Sequence, residues 1–110
     1  MTQPNTDWHA RARSIAINGN AFIDGRYVPA ASGATFECVS PIDGRVLAPV
    51  ASTDSADVDH AVAAARRAFD SGAWSRRAPR DRKKVLLRFA QLIEQHAEEL
   101  ALLETLDMGK

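Results

Sequence analysis

The chain has 110 residues, which allows one domain at most, and its content of 45% hydrophobic and 25% charged residues is typical of globular proteins. Its 14 basic residues balance 14 acidic ones, and the formal net charge of zero argues against a wholly basic nucleic-acid-binding module and against an acidic tail. No apolar stretch reaches the roughly 20 residues of a membrane helix, no secretory signal is visible, and the single cysteine, Cys38, excludes an intrachain disulfide, so we expect a cytoplasmic protein.

The first segment, residues 1–16, is polar and is predicted to be an N-terminal tail, either loose or docked elsewhere on the protein. Trp8 is the exception in this tail. An isolated tryptophan among polar residues indicates a docking contact, because its large ring gains most when it is removed from water.

Residues 15–51 have the pattern of β-strands. Asp24 and Gly25 stand between two short apolar and aromatic runs, and this dipeptide is the strongest local signal for a tight hairpin because both turn positions need a positive φ. The predicted strands, which form two successive hairpins, are 21–23, 26–28, 35–39 and 45–51.

The apolar period changes after Thr53 and predicts a helix over residues 56–70. Ser55 is its expected N-cap, and Gly72 supplies its C-terminal stop. One stripe with the spacing of a single helix face is formed by Val58, Ala61, Val62, Ala65 and Phe69.

Two further helices are predicted in the last third of the chain. One begins at Pro79, where a missing N–H is harmless, and its helical pattern breaks near His96. The other spans residues 98–108. Their expected core residues are Val85, Leu86, Phe89, Leu92 and Ile93 in the first, and Leu100, Leu103 and Leu106 in the second.

The sequence offers few groups for active-site chemistry. Cys38 lies in mid-strand beside Glu37, which favours a small buried apolar residue over a nucleophile, since a catalytic thiolate needs a positive setting. The three histidines are scattered and form no zinc-binding motif. Asp57 and Asp59 are two positions apart on a helix and do not face each other, so we interpret them as helix-start charge rather than as an acid pair.

Phosphate-binding motifs are absent from the sequence as well. There is no GxGxxG, and the closing Gly109-Lys110 lacks the earlier glycine of a phosphate-binding loop, because that position holds Glu104. The basic run over residues 76–88 contains a single acid, Asp81, and leaves two readings open. It is either a solvated helix face or the binding surface of a small helical interaction module, although no aromatic residues for base stacking are interleaved in it.

Four segments follow one another in a specific order: FIDGRYV, ASGATFECVSPIDGRVLAPVA, DVDHAVAAARRAFDSGAWS and PRDRKKVLLRFAQLIEQHAEELALLETLDMGK. In this order they resemble the N-terminal quarter of the aldehyde dehydrogenase superfamily, from residue 17 to residue 110. The most specific parts are AFDSGAWS and ELALLETLDMGK. The sequence is most similar to the enzymes that oxidise γ-glutamyl-γ-aminobutyraldehyde in putrescine degradation, with related aminoaldehyde and betaine-aldehyde enzymes as close rivals.

The resemblance implies an oxidoreductase, an NAD- or NADP-dependent aldehyde dehydrogenase that makes a carboxylic acid and forms a homo-oligomer, without a nucleic-acid or membrane partner. It implies an α/β fold in which residues 17–110 are an incomplete N-terminal portion of the Rossmann-like NAD-binding domain, here two β-hairpins followed by three helices. Family members continue past Lys110, and their nucleophile, general base and cofactor loop lie beyond it. The resemblance therefore implies no catalytic or cofactor-binding residue in this chain, which we expect to be inactive alone.

One site of the family falls inside the chain by this resemblance. Several members bind a monovalent cation through strand carbonyls and the aspartate of the ETLD element, and residue-by-residue matching assigns these metal ligands to Cys38, Val39 and Asp107. Cys38 replaces a threonine that is common there, which matters little if the ligand is its carbonyl. Oxygen donors of this kind suit a hard cation, and a further ligand is expected from outside this chain.

Overall fold

The computed structural model describes residues 5–110, which form four helices and two separate two-stranded antiparallel sheets. The first four residues of the predicted tail lie outside the described residues. In chain order the elements are α1 (Trp8–Ser14), β1 (Ala21–Ile23), β2 (Arg26–Val28), β3 (Thr35–Val39), β4 (Val46–Ala51), α2 (Ser55–Ser71), α3 (Pro79–Gln95) and α4 (Ala97–Met108). No helix in this part of the chain combines the length and the apolar character that crossing a membrane requires.

The predicted tail contains a short helix, α1, which the sequence analysis missed. Asp7 caps it, since its carboxylate accepts a backbone N–H of the first turn at 3.0 Å. Arg11 forms an ion pair with Glu98 of α4, and its guanidinium lies 5.6 Å from the centre of the Trp8 ring. Trp8 and Leu102 line one groove. The Arg11–Glu98 ion pair therefore joins α1 to α4, whereas Trp8 is 46% exposed and the docking contact predicted for it stays a prediction.

Both hairpins form where the sequence predicts them. Asp24 and Gly25 have φ values of 55° and 77°, as the tight turn between β1 and β2 requires. Strands β3 and β4 pair with a shift of register between Cys38 and Val39, and β4 begins at Val46 rather than at residue 45. This bulge was not predicted, because an extra residue in one strand depends on its pairing partner and leaves no local sequence signal.

Helix α2 begins one residue earlier than predicted, and its N-cap is Asp54 rather than Ser55. The reason is a capping box. The Asp54 carboxylate accepts the N–H groups of Ala56 at 3.0 Å and Asp57 at 3.4 Å, while the Asp57 carboxylate accepts the Asp54 N–H at 3.1 Å. At the other end Gly72 has a φ of 73° and stops the helix as predicted.

Asp57 also ties α2 to the hairpins. Its side chain is buried, and its second contact is the backbone N–H of Ala31, which it accepts at 2.9 Å. The backbone N–H groups of Asp54 and Ala31 stabilise the charged carboxylate and hold the pKa of Asp57 below its ordinary value. The aspartate that the sequence suggested as simple helix-start charge is thus a structural anchor between two elements.

The last two helices follow the prediction closely, but the buried face of α4 does not. Helix α3 begins at Pro79, and His96 separates it from α4 where the sequence predicts a break in the helical pattern. In α4 the buried residues are Leu102 and Leu106. The prediction that Leu100 is buried is wrong: it is 46% exposed, because it lies two positions before Leu102 and so points to about the opposite side of the helix.

The chain packs as a thin plate rather than around a large core. Its principal extents are 49 × 44 × 19 Å, and its radius of gyration is 18.1 Å, whereas a compact domain of this length has about 13 Å. Among the described residues the buried apolar side chains are Ala30, Ala48, Leu102 and Leu106. The apolar stripes that the sequence predicts on α2 and α3 are exposed.

Candidate cation site between β3 and α4

Strand β3 and helix α4 meet at two of the three predicted ligands. The thiol of Cys38 donates a hydrogen bond to Oδ1 of Asp107 across a distance of 3.1 Å, although the two residues are 69 positions apart in the chain. Val39 follows Cys38 in the strand, but its side chain is half exposed and it does not line the cavity at this contact. The structure therefore brings Cys38 and Asp107 together and leaves Val39 outside the cavity wall.

The setting of Cys38 differs from the buried apolar environment predicted for it. Its side chain is partly exposed and makes a polar contact. The hydrogen bond to the Asp107 carboxylate, partial burial and the charge of that carboxylate all raise the pKa of Cys38. A protonated thiol beside a carboxylate is a weak nucleophile.

An open cavity of about 410 Å³ lies at this contact, and four residues with oxygen-bearing side chains are among those that line its mainly apolar wall. These are Asn18, Asn20, Glu104 and Asp107. Carboxylate and amide oxygens are donors that fit a hard cation. In residues 5–110 no group of three or more His, Cys, Asp or Glu side chains is arranged to hold a metal ion. Zinc prefers cysteine and histidine donors, so oxygen donors of this kind suit a harder cation better than zinc.

Glu104 is a residue of this cavity that the sequence analysis did not assign to it. It precedes Asp107 by three positions, and residues with that spacing share one face of a helix. The spacing of Glu104 and Asp107 is a signal in the sequence. It indicates a shared site only when α4 is known to turn this face toward β3.

Gly19 forms part of the same cavity wall by a close backbone approach. Its carbonyl accepts the N–H of Ala51 at 2.8 Å, so the segment before β1 covers the outer edge of β4. A Cβ atom at Gly19 would overlap the carbonyl oxygen of Pro49 and would lie 3.0 Å from the Cα of Val50. This position accepts no side chain without a backbone shift.

The basic run over residues 76–88 is used partly for local structure. The Arg76 guanidinium donates to the carbonyl oxygens of Asp70 at 3.2 Å and Ser71 at 2.9 Å, where it closes the C-terminus of α2. Lys84 lies 3.8 Å from the carboxylate of Asp81. These contacts leave fewer free cations for a nucleic-acid surface than the sequence suggests.

The sequence of this chain is similar to those of known aldehyde dehydrogenases. A profile of the Aldehyde dehydrogenase family matches residues 27–110. The chain is 50% identical over 103 residues to the NADP/NAD-dependent aldehyde dehydrogenase PuuC of Escherichia coli (strain K12), an alignment that covers 94% of this chain and 21% of that protein. It is 48% identical over 104 residues to the aminoacetaldehyde dehydrogenase of Pseudomonas aeruginosa, with the same shares covered.

Solved structures of aldehyde dehydrogenases contain the same fold as this chain. An indole-3-acetaldehyde dehydrogenase in its apo form superposes with a TM-score of 0.93 at 65% identity over 94% of this chain and 24% of the other. The γ-glutamyl-γ-aminobutyraldehyde dehydrogenase of Burkholderia cenocepacia J2315 superposes with a TM-score of 0.89 at 61% identity, over 91% of this chain and 20% of the other.

The chain thus spans about a fifth of the length of the curated relatives that it matches. Within that span the predicted α/β class, with two hairpins ahead of the long helices, is confirmed, and α1 is added to it. The family profile covers more than half of the residues, including both members of the Cys38–Asp107 contact. The chain belongs to the aldehyde dehydrogenase family.

Proposed function

We propose that the chain contributes the N-terminal portion of the cofactor-binding domain of an NAD- or NADP-dependent aldehyde dehydrogenase, which oxidises an aldehyde to a carboxylic acid. The observation that carries the proposal is the superposition at a TM-score of 0.93 and 65% identity on an indole-3-acetaldehyde dehydrogenase. Further support comes from relatives whose structures contain NAD+, among them an indole-3-acetaldehyde dehydrogenase and a betaine aldehyde dehydrogenase from Staphylococcus aureus.

Residues 17–110 form this portion of the domain in our proposal, and residues 1–16 precede it as a separate N-terminal segment. We also propose a cytoplasmic, homo-oligomeric enzyme. The location is supported by a single cysteine, which suits a reducing compartment.

The substrate that we propose is an aminoaldehyde such as γ-glutamyl-γ-aminobutyraldehyde. It is supported by the Burkholderia cenocepacia enzyme at 61% identity and by the aminoacetaldehyde dehydrogenase of Pseudomonas aeruginosa at 48%. The indole-3-acetaldehyde enzyme is similar at 65%, so likeness in these residues does not separate the two substrate classes. An assay with several aldehydes is therefore needed.

The 110 residues by themselves are proposed to be inactive. The only thiol, Cys38, has a raised pKa beside Asp107, and the sequence contains no glycine-rich cofactor loop. The chemical role that we propose for these 110 residues is to hold a cation. Asp107 supplies the carboxylate, and Cys38 and Val39 supply backbone carbonyls. Such an ion stabilises the meeting of β3 and α4 by neutralising the acidic wall.

A chimera tests the proposed activity. Residues 17–110 replace the aligned stretch of the Escherichia coli PuuC relative, and NADH formation is followed with γ-glutamyl-γ-aminobutyraldehyde, aminoacetaldehyde and indole-3-acetaldehyde. We expect turnover by the chimera, in which residues 17–110 replace the relative's own N-terminal portion, and none by the 110-residue chain. A folded chimera without activity on any aldehyde, or Cys38-dependent turnover by the chain alone, would contradict the proposal.

A further inference from the structure

A second cavity lies between α1, the turn that follows β3 and the buried side of α4. Its volume is about 380 Å³, within the range of about 300–1,000 Å³ that is usual for small-molecule sites. The buried side chains of Leu102 and Leu106 line it, together with the half-exposed ring of Trp8. We call it the α1–α4 cavity. Its wall therefore offers apolar and aromatic surface to a small molecule.

Two arginines, Arg13 and Arg45, line the α1–α4 cavity. Arg13 lies in α1 one turn after His9, so these two residues share one face of that helix, and Arg45 lies at the end of the turn that leads to β4. Among residues 5–110 neither Arg13 nor Arg45 forms an ion pair. Both side chains are exposed, so their guanidinium groups keep donors for an anion that enters the cavity.

Hydrogen bonds fix the backbone that carries Arg45. The N–H of Ser40 donates to the Arg45 carbonyl at 2.8 Å, and the Ser40 carbonyl accepts the N–H of Gly44 at 3.0 Å. The carboxylate of Asp43, which also lines the cavity, accepts the Arg45 N–H at 3.0 Å. Asp43 is thus engaged by the turn itself, and the ordered backbone at Arg45 reduces the entropic cost of binding.

Ser40 also brings a buried hydroxyl group to the cavity wall. The residue is 2% exposed, and its Oγ accepts the backbone N–H of Ile42 at 3.3 Å. A hydroxyl group can accept and donate at the same time, so its proton can be donated to an oxygen atom of a bound molecule. The α1–α4 cavity thus combines apolar surface, two guanidinium groups and a buried hydroxyl.

We infer that the α1–α4 cavity binds a small organic carboxylate with an apolar or aromatic body. The guanidinium groups of Arg13 and Arg45 hold the carboxylate, because their planar fork of donors matches its two oxygens. The body lies against Leu102, Leu106 and the Trp8 ring. An inorganic anion makes no use of this apolar surface, and a neutral molecule makes no use of the two charges. Such binding needs no aldehyde oxidation and does not rest on the proposed function.

A titration followed by nuclear magnetic resonance tests the site. Phenylacetate, a carboxylate with an aromatic body, is added to the isotope-labelled 110-residue chain. We expect saturable shifts of the Trp8 indole N–H and of the Ser40 and Arg45 amides, with a Kd on the order of 1 mM, as suits a ligand of few atoms.

Three comparison ligands separate the charge from the body. Phenylacetamide has the same body without the charge, and acetate and inorganic phosphate have charge without the body. Each should bind about tenfold more weakly than phenylacetate, because each loses one of the two kinds of contact. Phosphate or acetate that binds as tightly as phenylacetate would overturn the assigned apolar part of the site.

Arg13→Gln and Arg45→Gln should each weaken phenylacetate binding about tenfold, since a hydrogen bond to a charged group contributes roughly that factor. Arg88→Gln is the matched control. It removes the same charge from an exposed position of α3 that does not line the cavity, and it should leave the Kd within about twofold. Equal weakening by all three variants would show non-specific attraction and refute the site.

A chimera that carries residues 5–110, and so includes α1, gives a second measurement in a full-length subunit. Phenylacetate should raise its melting temperature, and Arg45→Gln should remove most of the rise while Arg88→Gln retains it. A rise in a chimera that oxidises no aldehyde supports the site and contradicts only the proposed function. An active chimera whose rise is the same with and without Arg45, or a chain without saturable shifts up to about 10 mM phenylacetate, would overturn the inference.

Discussion

Gly19→Ala is the substitution for which the structure gives the sharpest expectation. The glycine lies against β4, where its carbonyl accepts the Ala51 N–H at 2.8 Å. The added Cβ would overlap the carbonyl oxygen of Pro49 and lie 2.9 Å from the carbonyl carbon. Both neighbours are backbone atoms of a paired strand and cannot rotate away. The segment before β1 must therefore move off the edge of β4, and the hydrogen bond to Ala51 is lost.

The size of the effect follows from two contributions. Overpacking against backbone costs about 1–3 kcal/mol, and the lost hydrogen bond contributes about 0.5–1.5 kcal/mol. Their sum corresponds to an increase of about tenfold or more in the opening equilibrium at this edge, since each 1.4 kcal/mol is worth a factor of about ten.

Amide hydrogen exchange measures this opening at single residues. Gly19→Ala should accelerate exchange of the Ala51 amide about tenfold or more, while the Ser52 amide, which donates to the Ala34 carbonyl at 2.8 Å within the hairpin, should change much less. Asn20→Ala, at an exposed neighbouring position, serves as the control and should leave both amides within about twofold. Unchanged exchange at Ala51, or equal acceleration at both amides, would refute the close-approach argument.

Four further expectations follow from the fold and the site. Leu106→Ala removes a buried side chain and should lower the free energy of unfolding in urea by about 2–5 kcal/mol, whereas the same change at exposed Leu100 should cost less than about 1 kcal/mol; equal losses would contradict the assigned buried face. Native hydrogen bonds lower the pKa of Asp57, so its contribution is present above its ordinary pKa of about 3.9 and is lost as pH falls through the lowered native value. An acid titration by circular dichroism should therefore show a shallower pH dependence in Asp57→Asn, and an unchanged slope would count against the anchor. In the chimera, Asp107→Asn should abolish the rise in melting temperature on exchanging choline chloride for potassium or sodium chloride, while Glu104→Gln should only reduce it; retention of the full rise by Asp107→Asn would remove Asp107 from the site. Small-angle scattering of the monomeric chain should give a radius of gyration near 18.1 Å, and a value near 13 Å would show a compact domain.

Local signals in the sequence predict most of the secondary structure. The Asp24-Gly25 turn, the proline that opens α3 and the glycine that ends α2 each act through their own backbone preferences, and all three lie where the sequence indicates. The N-cap of α2 was misplaced by one residue because Asp54 and Ser55 are both good caps. The choice between them depends on the reciprocal contact from Asp57, which the spacing permits but does not require.

Features that depend on distant parts of the chain could not be predicted in this way. The buried face of α4 is set by α1 and the turn before β4, so periodicity alone proposed Leu100 where the structure buries Leu102. Gly19 has no turn to form, and its need for a hydrogen in place of a side chain appears only when Pro49 is seen beside it. The bulge in β4 is likewise a property of the pair of strands.

The candidate site between β3 and α4 could be predicted only through the resemblance to a known family. No local pattern joins Cys38 to Asp107, and only the likeness to aldehyde dehydrogenases paired them before the structure did. The resemblance assigned a carbonyl role to Cys38 and gave its side chain no function, yet the thiol donates to the carboxylate that would hold the ion. One oxygen of Asp107 is therefore engaged before any cation binds. In the proposed site the thiol and the ion share the Asp107 carboxylate, so the residue at position 38 influences affinity through its side chain as well as through its carbonyl.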